Sequence, residues 1–225
     1  MGALDVVMAK KFNWLIHKLA NDSIRRAIKQ YASGSLIDVG CGTSQYKGFI
    51  LRNSSVVEYV ALDREKRAEI DIIGAAYNIP RHGEFDTVLC TSVLEHLEEP
   101  VLALEEMNKA LRPGGHIILT TNFIWHIHEE PRDFFRYTEY GLRYILERSG
   151  YEIVDLEPIT GFWVTFGQEF CYYINKFNHY SLLKPFVYIL SRFVLFVSLF
   201  LESIDKDVSF SSTYIVVAKK KFYGD

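Results

Sequence analysis

The chain has 225 residues, of which 49% are hydrophobic, 15% aromatic and 24% charged, and its formal net charge is −3. This length can bury a full core in one domain with additions, and the charge balance lacks the basic surface typical of nucleic-acid-binding proteins. The three cysteines have no metal-ligand spacing and suit a reducing compartment. We therefore expect a cytoplasmic globular protein with no metal site and no nucleic-acid partner.

The N-terminal segment predicts two helices. Apolar residues recur at helical spacing over residues 4–20. Asn21-Asp22-Ser23 then supplies N-cap residues for a second helix through Tyr31, which Ser33-Gly34 ends. We assign residues 1–34 to a helical flank or lid.

A buried strand, a glycine turn and a helix are predicted next. The apolar run that begins at Leu36 includes Asp38, and Gly40 and Gly42 allow a sharp turn and a close ligand approach. Residues 43–51 should form a helix whose first-turn amides point at the ligand. Such a turn can also exist for steric reasons alone.

A second carboxylate supports a nucleotide-type site. Asp63 ends another apolar run about twenty residues after the turn, the spacing at which a strand end offers a carboxylate to ribose hydroxyls. A dinucleotide site would have Gly-x-Gly-x-x-Gly, but its third glycine position is Gln45 here. Asp38 would repel a diphosphate and attract a sulfonium and an amino group.

At this point the chain resembles the class I S-adenosylmethionine-dependent methyltransferases (methyltransferase type 11-like), whose first motif is similar to Asp38-Val-Gly-Cys-Gly-Thr43. The resemblance covers about residues 35–157 and resumes at the last strand. It implies an α/β fold: a doubly wound, Rossmann-like, seven-stranded sheet with an antiparallel last strand, N-terminal helices and a helical insertion before that strand. We assign residues 35–161 and 207–225 to the methyltransferase core and residues 162–206 to an aromatic-rich helical insertion.

The same resemblance implies contacts to S-adenosyl-L-methionine. Asp63 would hold the ribose, and adenine would rest on the amides of Ala75 and Ala76, because Ala75 stands where the family commonly has an acid. Thr91 and Ser92, which also cap a short helix in our prediction, would contact the methionyl portion. The predicted cofactor-binding set is Asp38, Gly40, Cys41, Gly42, Asp63, Ala75, Ala76, Thr91, Ser92 and His96.

Further elements follow in order. Strands are predicted at residues 69–73, 85–91, 116–120, 151–156 and 213–218, and helices at residues 100–110 and 138–149, with Arg112-Pro-Gly-Gly115 as a turn. Thr138 is the expected N-cap of the second helix and Gly150 its stop.

The segment from Asn122 to Tyr137 mixes charged and aromatic residues and should face the acceptor substrate. We predict His128 as general base, with Asp133 and Arg136 also in the catalytic site, where Arg136 could bind a phosphate or carboxylate. The alternative is that Asp133 and Arg136 form an ion pair that ties the loop down. His-x-x-Pro-x-Asp-Phe-x-Arg-Tyr-Thr is similar to runs in bacterial methyltransferases of cell-surface glycan pathways.

Within the insertion, a helix is predicted from Ser181 onward, with Pro185 in its first turn. Its polar residues fall on one narrow stripe, and Phe186 to Leu201 is shorter than the roughly twenty apolar residues of a membrane span. Residues 182–204 could contact a membrane peripherally at its inner face, form a homodimer, or pack within the fold.

Together these features predict a methyltransferase that acts on a small-molecule, glycan or lipid-linked acceptor, at oxygen or nitrogen. Two alternatives remain: a non-catalytic cofactor-binding or interaction module with the same fold, and a nicotinamide oxidoreductase.

Overall fold

The computed structural model describes residues 12–67 and 69–221. Residues 4–11 of the first predicted helix lie outside the described residues. From Trp14 to Tyr31 the chain forms one helix, α1, so the predicted break at Asn21-Asp22-Ser23 is wrong. These polar residues lie inside the helix, where Asp22 pairs with Lys18 one turn earlier.

Seven strands form one sheet in the order β3-β2-β1-β4-β5-β7-β6. The strands are β1 (Ser33–Val39), β2 (Ser55–Asp63), β3 (Ile72–Ile73), β4 (Phe85–Thr91), β5 (Leu111–Asn122), β6 (Tyr151–Pro158) and β7 (Thr213–Lys220). Strands β1 to β5 pair in parallel. Lys221 N donates to Gly150 O and Ile159 N to Thr213 O, each at 2.9 Å, so β7 runs antiparallel to β6. The predicted doubly wound sheet with an antiparallel last strand is confirmed.

The remaining helices are α2 (Lys47–Asn53), α3 (Pro100–Ala110), α4 (Glu139–Arg148), α5 (Phe162–Asn175) and α6 (Lys184–Ile204), with 3₁₀ turns at Leu94–His96 and Lys176–His179. Thr138 caps α4 by accepting from Gly141 N at 3.1 Å, and Gly150, with φ +84°, follows its end. The cap predicted for the first 3₁₀ turn is wrong, since Val93 precedes that turn and makes no side-chain cap.

The sheet carries the main hydrophobic core. In β4, Val88, Leu89 and Cys90 are all fully buried, which fits a parallel strand covered on both faces. Ile37 of β1 pairs with Val60 on one side and Val88 on the other, so apolar side chains run across the sheet in register. The three cysteines are buried and free, as expected of small core residues.

The described chain forms two compact units. The sheet unit contains residues 23–123, 127–157 and 214–221, and the helical unit contains residues 12–22, 124–126 and 158–213. By length and composition alone, helix α6 of the helical unit could cross a membrane, and only 22% of its most apolar window is buried.

Candidate functional site

The glycine turn lies directly after β1 and is tied to the end of β2. Gly40 and Gly42 have φ values of +70° and +57°, which favour glycine, and a Cβ on Gly40 would lie 2.5 Å from a methyl of Val93. The amides of Gly40 and Cys41 both donate to Leu62 O, at 2.8 and 3.2 Å. The turn is therefore held against the neighbouring strand.

Asp63 stands at the end of β2 and receives hydrogen bonds from both sides. Its Oδ2 accepts from the Gly42 amide and its Oδ1 from the Glu65 amide, each at 2.9 Å. Each carboxylate oxygen has two lone pairs, so both retain one acceptor position. This carboxylate, held by two amides beside the glycine turn, fits a ribose diol.

Asp38 brings a second carboxylate to the same place. It pairs in register with Ala61, two residues before Asp63, and its Oδ2 accepts from the Tyr59 hydroxyl at 2.5 Å. The pKa of Asp38 is raised to about 7, mainly by burial and to a lesser degree by the Asp63 charge, while the Tyr59 hydrogen bond acts in the opposite direction. A cationic group bound here would favour the ionised form.

The helix after the turn begins later than predicted. Residues 43–46 form turns in which Ser44 has φ +51°, and α2 begins at Lys47. The Lys47 amide donates to Ser44 O at 3.0 Å. The prediction that a helix starting at residue 43 aims its first amides at the ligand is therefore wrong.

Two further predicted segments lie at the same edge of the sheet. Ile73 pairs with Asp63, and the next amide, of Gly74, donates to Asp63 O at 3.0 Å, so Ala75 and Ala76 follow immediately beyond β2. In β4, Leu89 pairs with Asp38, which puts Thr91 and Ser92 just past the same edge. Parallel strands thus gather these segments at their carboxyl ends.

His96, by contrast, contacts the predicted acceptor segment. Its Nδ1 lies 2.6 Å from Arg132 O, and its ring meets the His128 ring edge to face, with centroids 4.7 Å apart. The structure therefore joins His96 to the His128 cluster.

Asp133 organises that cluster. Both of its oxygens accept from Arg136 at 2.6 Å, and Oδ2 also accepts from the His128 amide at 2.9 Å. The guanidinium holds the pKa of Asp133 far below its usual range. Of the two roles considered for Arg136, the structure shows the ion pair, in which both terminal nitrogens of the guanidinium donate to Asp133.

His126, from the same segment, belongs to the helical unit. Its Nδ1 lies 3.0 Å from a carboxylate oxygen of Glu169 in α5. The segment from Asn122 to Tyr137 is thus divided between two compact units.

Sequence reasoning missed Glu95. This side chain is fully buried, its Oε2 accepts from the Thr121 hydroxyl at 2.8 Å, and burial raises its pKa. Its Oε1 is without a hydrogen-bond partner among the described residues. The available signal was a glutamate that follows the apolar pair Val93-Leu94 shortly after a buried strand.

Comparison with known proteins agrees with this architecture. Residues 37–119 match a family model described as a methyltransferase domain. The segment that carries the glycine turn, Asp63 and β4 is thus similar to a methyltransferase domain. The chain is similar in fold to 1,6-didemethyltoxoflavin-N1-methyltransferase of Burkholderia thailandensis, a structure with bound S-adenosylhomocysteine (TM-score 0.58, 11% identity, covering 97% of this chain and 88% of that one).

Two curated relatives match parts of the methyltransferase domain. A tRNA U34 carboxymethyltransferase of Campylobacter hominis is 31% identical over 102 residues, which is 39% of this chain and 35% of the relative. A ubiquinone biosynthesis O-methyltransferase of Hydrogenovibrio crunogenus is 28% identical over 116 residues, 42% of this chain and 46% of the relative. The aligned segments thus span less than half of either relative.

S-adenosyl-L-methionine is the cofactor of this family, and the residues at the sheet edge fit it. Asp63 retains acceptor positions for a diol, the glycines keep side chains out of the turn, and Asp38 supplies negative potential for a cationic group.

Proposed function

We propose that this protein is an S-adenosylmethionine-dependent methyltransferase that modifies oxygen or nitrogen of a small-molecule, glycan or lipid-linked acceptor. The observation that carries the proposal is the junction of β1 and β2, where Gly42 donates to Asp63 beside the buried Asp38. The cofactor supplies an electrophilic methyl group when bound. Asp63 would hold the ribose, and the glycine turn would let the cofactor approach the backbone.

Beyond cofactor binding, catalysis requires that the acceptor be positioned and that one general base be present. Fixing the acceptor in line with the methyl group supplies most of the acceleration, and a base is needed only when the acceptor carries a proton. We propose His128 as that base. Asp133, which accepts from the His128 amide and lies 3.4 Å from its Nδ1, would orient the imidazole.

Calorimetry with S-adenosylhomocysteine tests the cofactor site. We expect the wild-type protein to bind and Asp63→Asn to weaken binding about 10- to 100-fold, because the neutral amide replaces charge-assisted hydrogen bonds with weaker ones. Asp155→Asn, in β6, is the matched control and should bind normally. A wild-type protein that does not bind, or an Asp63→Asn variant that binds equally well, would contradict the proposal.

Turnover separates the alternatives. Transfer of labelled methyl from S-adenosylmethionine to an added acceptor by the wild type, with loss of transfer in His128→Gln at unchanged cofactor affinity, supports an enzyme with the proposed base. Tight cofactor binding without transfer to any acceptor supports the non-catalytic module, whereas preferential binding of NADH supports an oxidoreductase.

The acceptor class is tested in the same assay. The net charge of −3 favours acceptors other than nucleic acid, although one relative is named for action on tRNA. Parallel reactions with bulk tRNA, soluble glycans and a lipid extract should place the label in a glycan or lipid fraction. Label in tRNA would overturn that part of the proposal.

We also propose that the protein works in the cytoplasm at the inner face of a membrane, with α6 in the lipid interface. Helix α6 exposes an apolar stripe, whereas a surface helix of a water-soluble protein exposes a polar one. Its inward stripe contains Val187, Ser191, Leu195 and Ser198, whereas its outward stripe contains Phe186, Ile189, Phe193, Phe196, Phe200 and Ile204. The exposed stripe is the more apolar one, which suits contact with lipid.

Helices α5 and α6 form an antiparallel hairpin of the kind that lies along a membrane surface. Val164 N donates to Glu202 Oε2 at 2.8 Å near one end, and Cys171 lies against Ser191 further along. The chain therefore enters and leaves at the same end, and α5, with 14 residues, is too short at about 21 Å to span the roughly 30 Å hydrocarbon layer. Lys176, His179 and Lys184 lie around the other end, where they favour anionic headgroups.

Vesicle sedimentation tests this surface. We expect co-sedimentation with anionic phosphatidylglycerol vesicles, and Phe196→Asp should weaken it about 10-fold or more, since a buried phenyl ring contributes roughly 1.5–3 kcal/mol. Tyr140→Asp, an exposed aromatic of α4, is the control. Failure of the wild type to sediment, or a dimer in light scattering that Phe196→Asp dissociates, would contradict the lipid contact, and the dimer would favour a second copy.

A further inference from the structure

A buried carboxylate and two imidazoles converge where β4 leads into its 3₁₀ turn. Glu95, His96 and His128 each offer one ligand atom, and these atoms all lie within 4.8 Å of one another. We infer that these three side chains form a binding site for one divalent transition-metal ion, Zn²⁺ foremost. Two histidines and one carboxylate are a donor set of catalytic zinc sites, and other first-row divalent ions bind the same set.

Each donor is held by a neighbour in the way that metal ligands are. The Arg132 carbonyl can only accept, so the 2.6 Å contact puts the proton on His96 Nδ1 and leaves the lone pair on Nε2. Thr121 donates to one oxygen of Glu95 at 2.8 Å. His128 is held through its backbone amide, which donates to Asp133 Oδ2 at 2.9 Å, and its Nε2 lies 3.4 Å from the side-chain nitrogen of Asn122.

The second oxygen of Glu95 is an independent observation. Glu95 is 0% exposed, and its Oε1 has no hydrogen-bond partner among residues 12–67 and 69–221. A buried carboxylate oxygen left in this state is unfavourable unless a cation or donor meets it. A metal ion between the two imidazoles and this oxygen would meet that requirement.

The charges around the cluster favour a cation. Arg136 is the nearby guanidinium, and both of its terminal nitrogens are bound to Asp133 at 2.6 Å. The Asp133–Arg136 pair is neutral as a whole, so the negative charge of the Glu95 carboxylate is available to the metal ion. Three protein ligands would leave a coordination position open to water or to an acceptor oxygen.

Direct metal binding tests the site without reference to methyl transfer. The metal-free full-length protein is titrated with Zn²⁺ by calorimetry and with Co²⁺ by visible absorption. We expect one ion per chain, d–d bands for Co²⁺ bound by nitrogen and oxygen ligands, and at least a 10-fold weaker affinity in His96→Gln, His128→Gln and Glu95→Gln. This result is independent of methyl transfer, because the cofactor takes no part in it; when the ion is bound, His128 serves as its ligand, and the role of base proposed above applies to the metal-free protein.

His82→Gln is the matched control. His82 also lies beside a carboxylate, 2.6 Å from Glu106, but it is exposed and outside the cluster. The control should bind Zn²⁺ with wild-type affinity. If Glu95→Gln does not fold by circular dichroism, the partly exposed His128 decides the test. No binding by the folded wild type, or equal binding by His128→Gln, would overturn the inference.

Discussion

The sheet unit and the helical unit differ in the residues that they leave exposed. Strand β4 of the sheet unit hides Val88, Leu89 and Cys90 completely. Helix α6 of the helical unit buries Ser191 and Ser198 together with Val187 and Leu195 along its inward stripe, and it exposes four phenylalanines along its outward one. Both segments are strongly apolar, so hydrophobicity alone does not tell which side of an element faces inward. The difference is what we expect if β4 faces protein and α6 faces lipid.

The polar residues that each unit does bury differ in the same way. In the sheet unit, Asp38 and Glu95 are buried charged groups at the carboxyl edge, where ligands of such sheets bind. In the helical unit, Ser191 and Ser198 are small residues that let α5 and α6 pack closely. The first kind serves a site and the second serves helix packing.

Truncating one apolar residue in each unit is the strongest test of this contrast. Leu89→Ala should lower the free energy of unfolding by about 2–5 kcal/mol, because it leaves a cavity in a fully buried strand. Phe196→Ala should change it by less than about 0.5 kcal/mol in lipid-free solution, since this ring is 71% exposed. Urea unfolding of both variants gives the two values. A loss of several kcal/mol in Phe196→Ala would show that its ring is buried by a partner in solution.

The next effect concerns a buried charge of the sheet unit. The pKa of Asp38 is raised from 3.8 to about 7 on folding, so the native state binds the proton more tightly than the unfolded state does. Its contribution favours folding below about pH 4 and is lost as the pH rises from about 4 to 7, at up to roughly 1.4 kcal/mol per pH unit.

The Asp38→Asn variant has no titratable group at this position, so this part of the pH dependence of the free energy of unfolding should be absent from it. The free energy of unfolding of the variant relative to wild type should therefore increase between pH 4.5 and pH 7, as measured by urea unfolding at several pH values. Parallel pH profiles for the two proteins would show that Asp38 does not change its protonation affinity on folding.

The smallest expected effect probes the packing of the helical hairpin. A Cβ on Gly167 would lie 2.0 Å from Ser198 Oγ, so Gly167→Ala should overpack the contact. The higher helix propensity of alanine offsets about 1 kcal/mol of the overpacking cost, which leaves a net loss of roughly 1 kcal/mol in the free energy of unfolding. Adding Ser198→Gly should relieve the clash, giving a favourable coupling of about 1 kcal/mol in a double-mutant cycle. Additive effects would mean that the helices can separate freely.

Much of the sheet unit could be predicted from local sequence. The apolar runs that end at Asp38, Asp63 and Thr91 became adjacent parallel strands, and the glycines predicted at the turn have positive φ. These features depend on near neighbours: a buried strand needs continuous apolar residues, and a left-handed backbone favours glycine whatever lies elsewhere.

The errors have a common physical origin. Asn21-Asp22-Ser23 can cap a helix but is also tolerated inside one, and α1 continues through it. Likewise, residues 43–46 could have been helical, but they turn instead, and α2 begins only at Lys47. Local propensity is weak beside tertiary packing at such positions, so the sequence left both outcomes open.

The sequence by itself determined where the main strands lie along the chain, the position of the glycine turn and the two carboxylates beside it, because each follows from short-range backbone and solvation preferences. Only the tertiary structure showed that Glu95 and His96 lie beside His128, that Arg136 forms an ion pair with Asp133, and that the phenylalanines of α6 are exposed. Those outcomes depend on which distant segments pack together, and on which face of a helix is left without a protein neighbour.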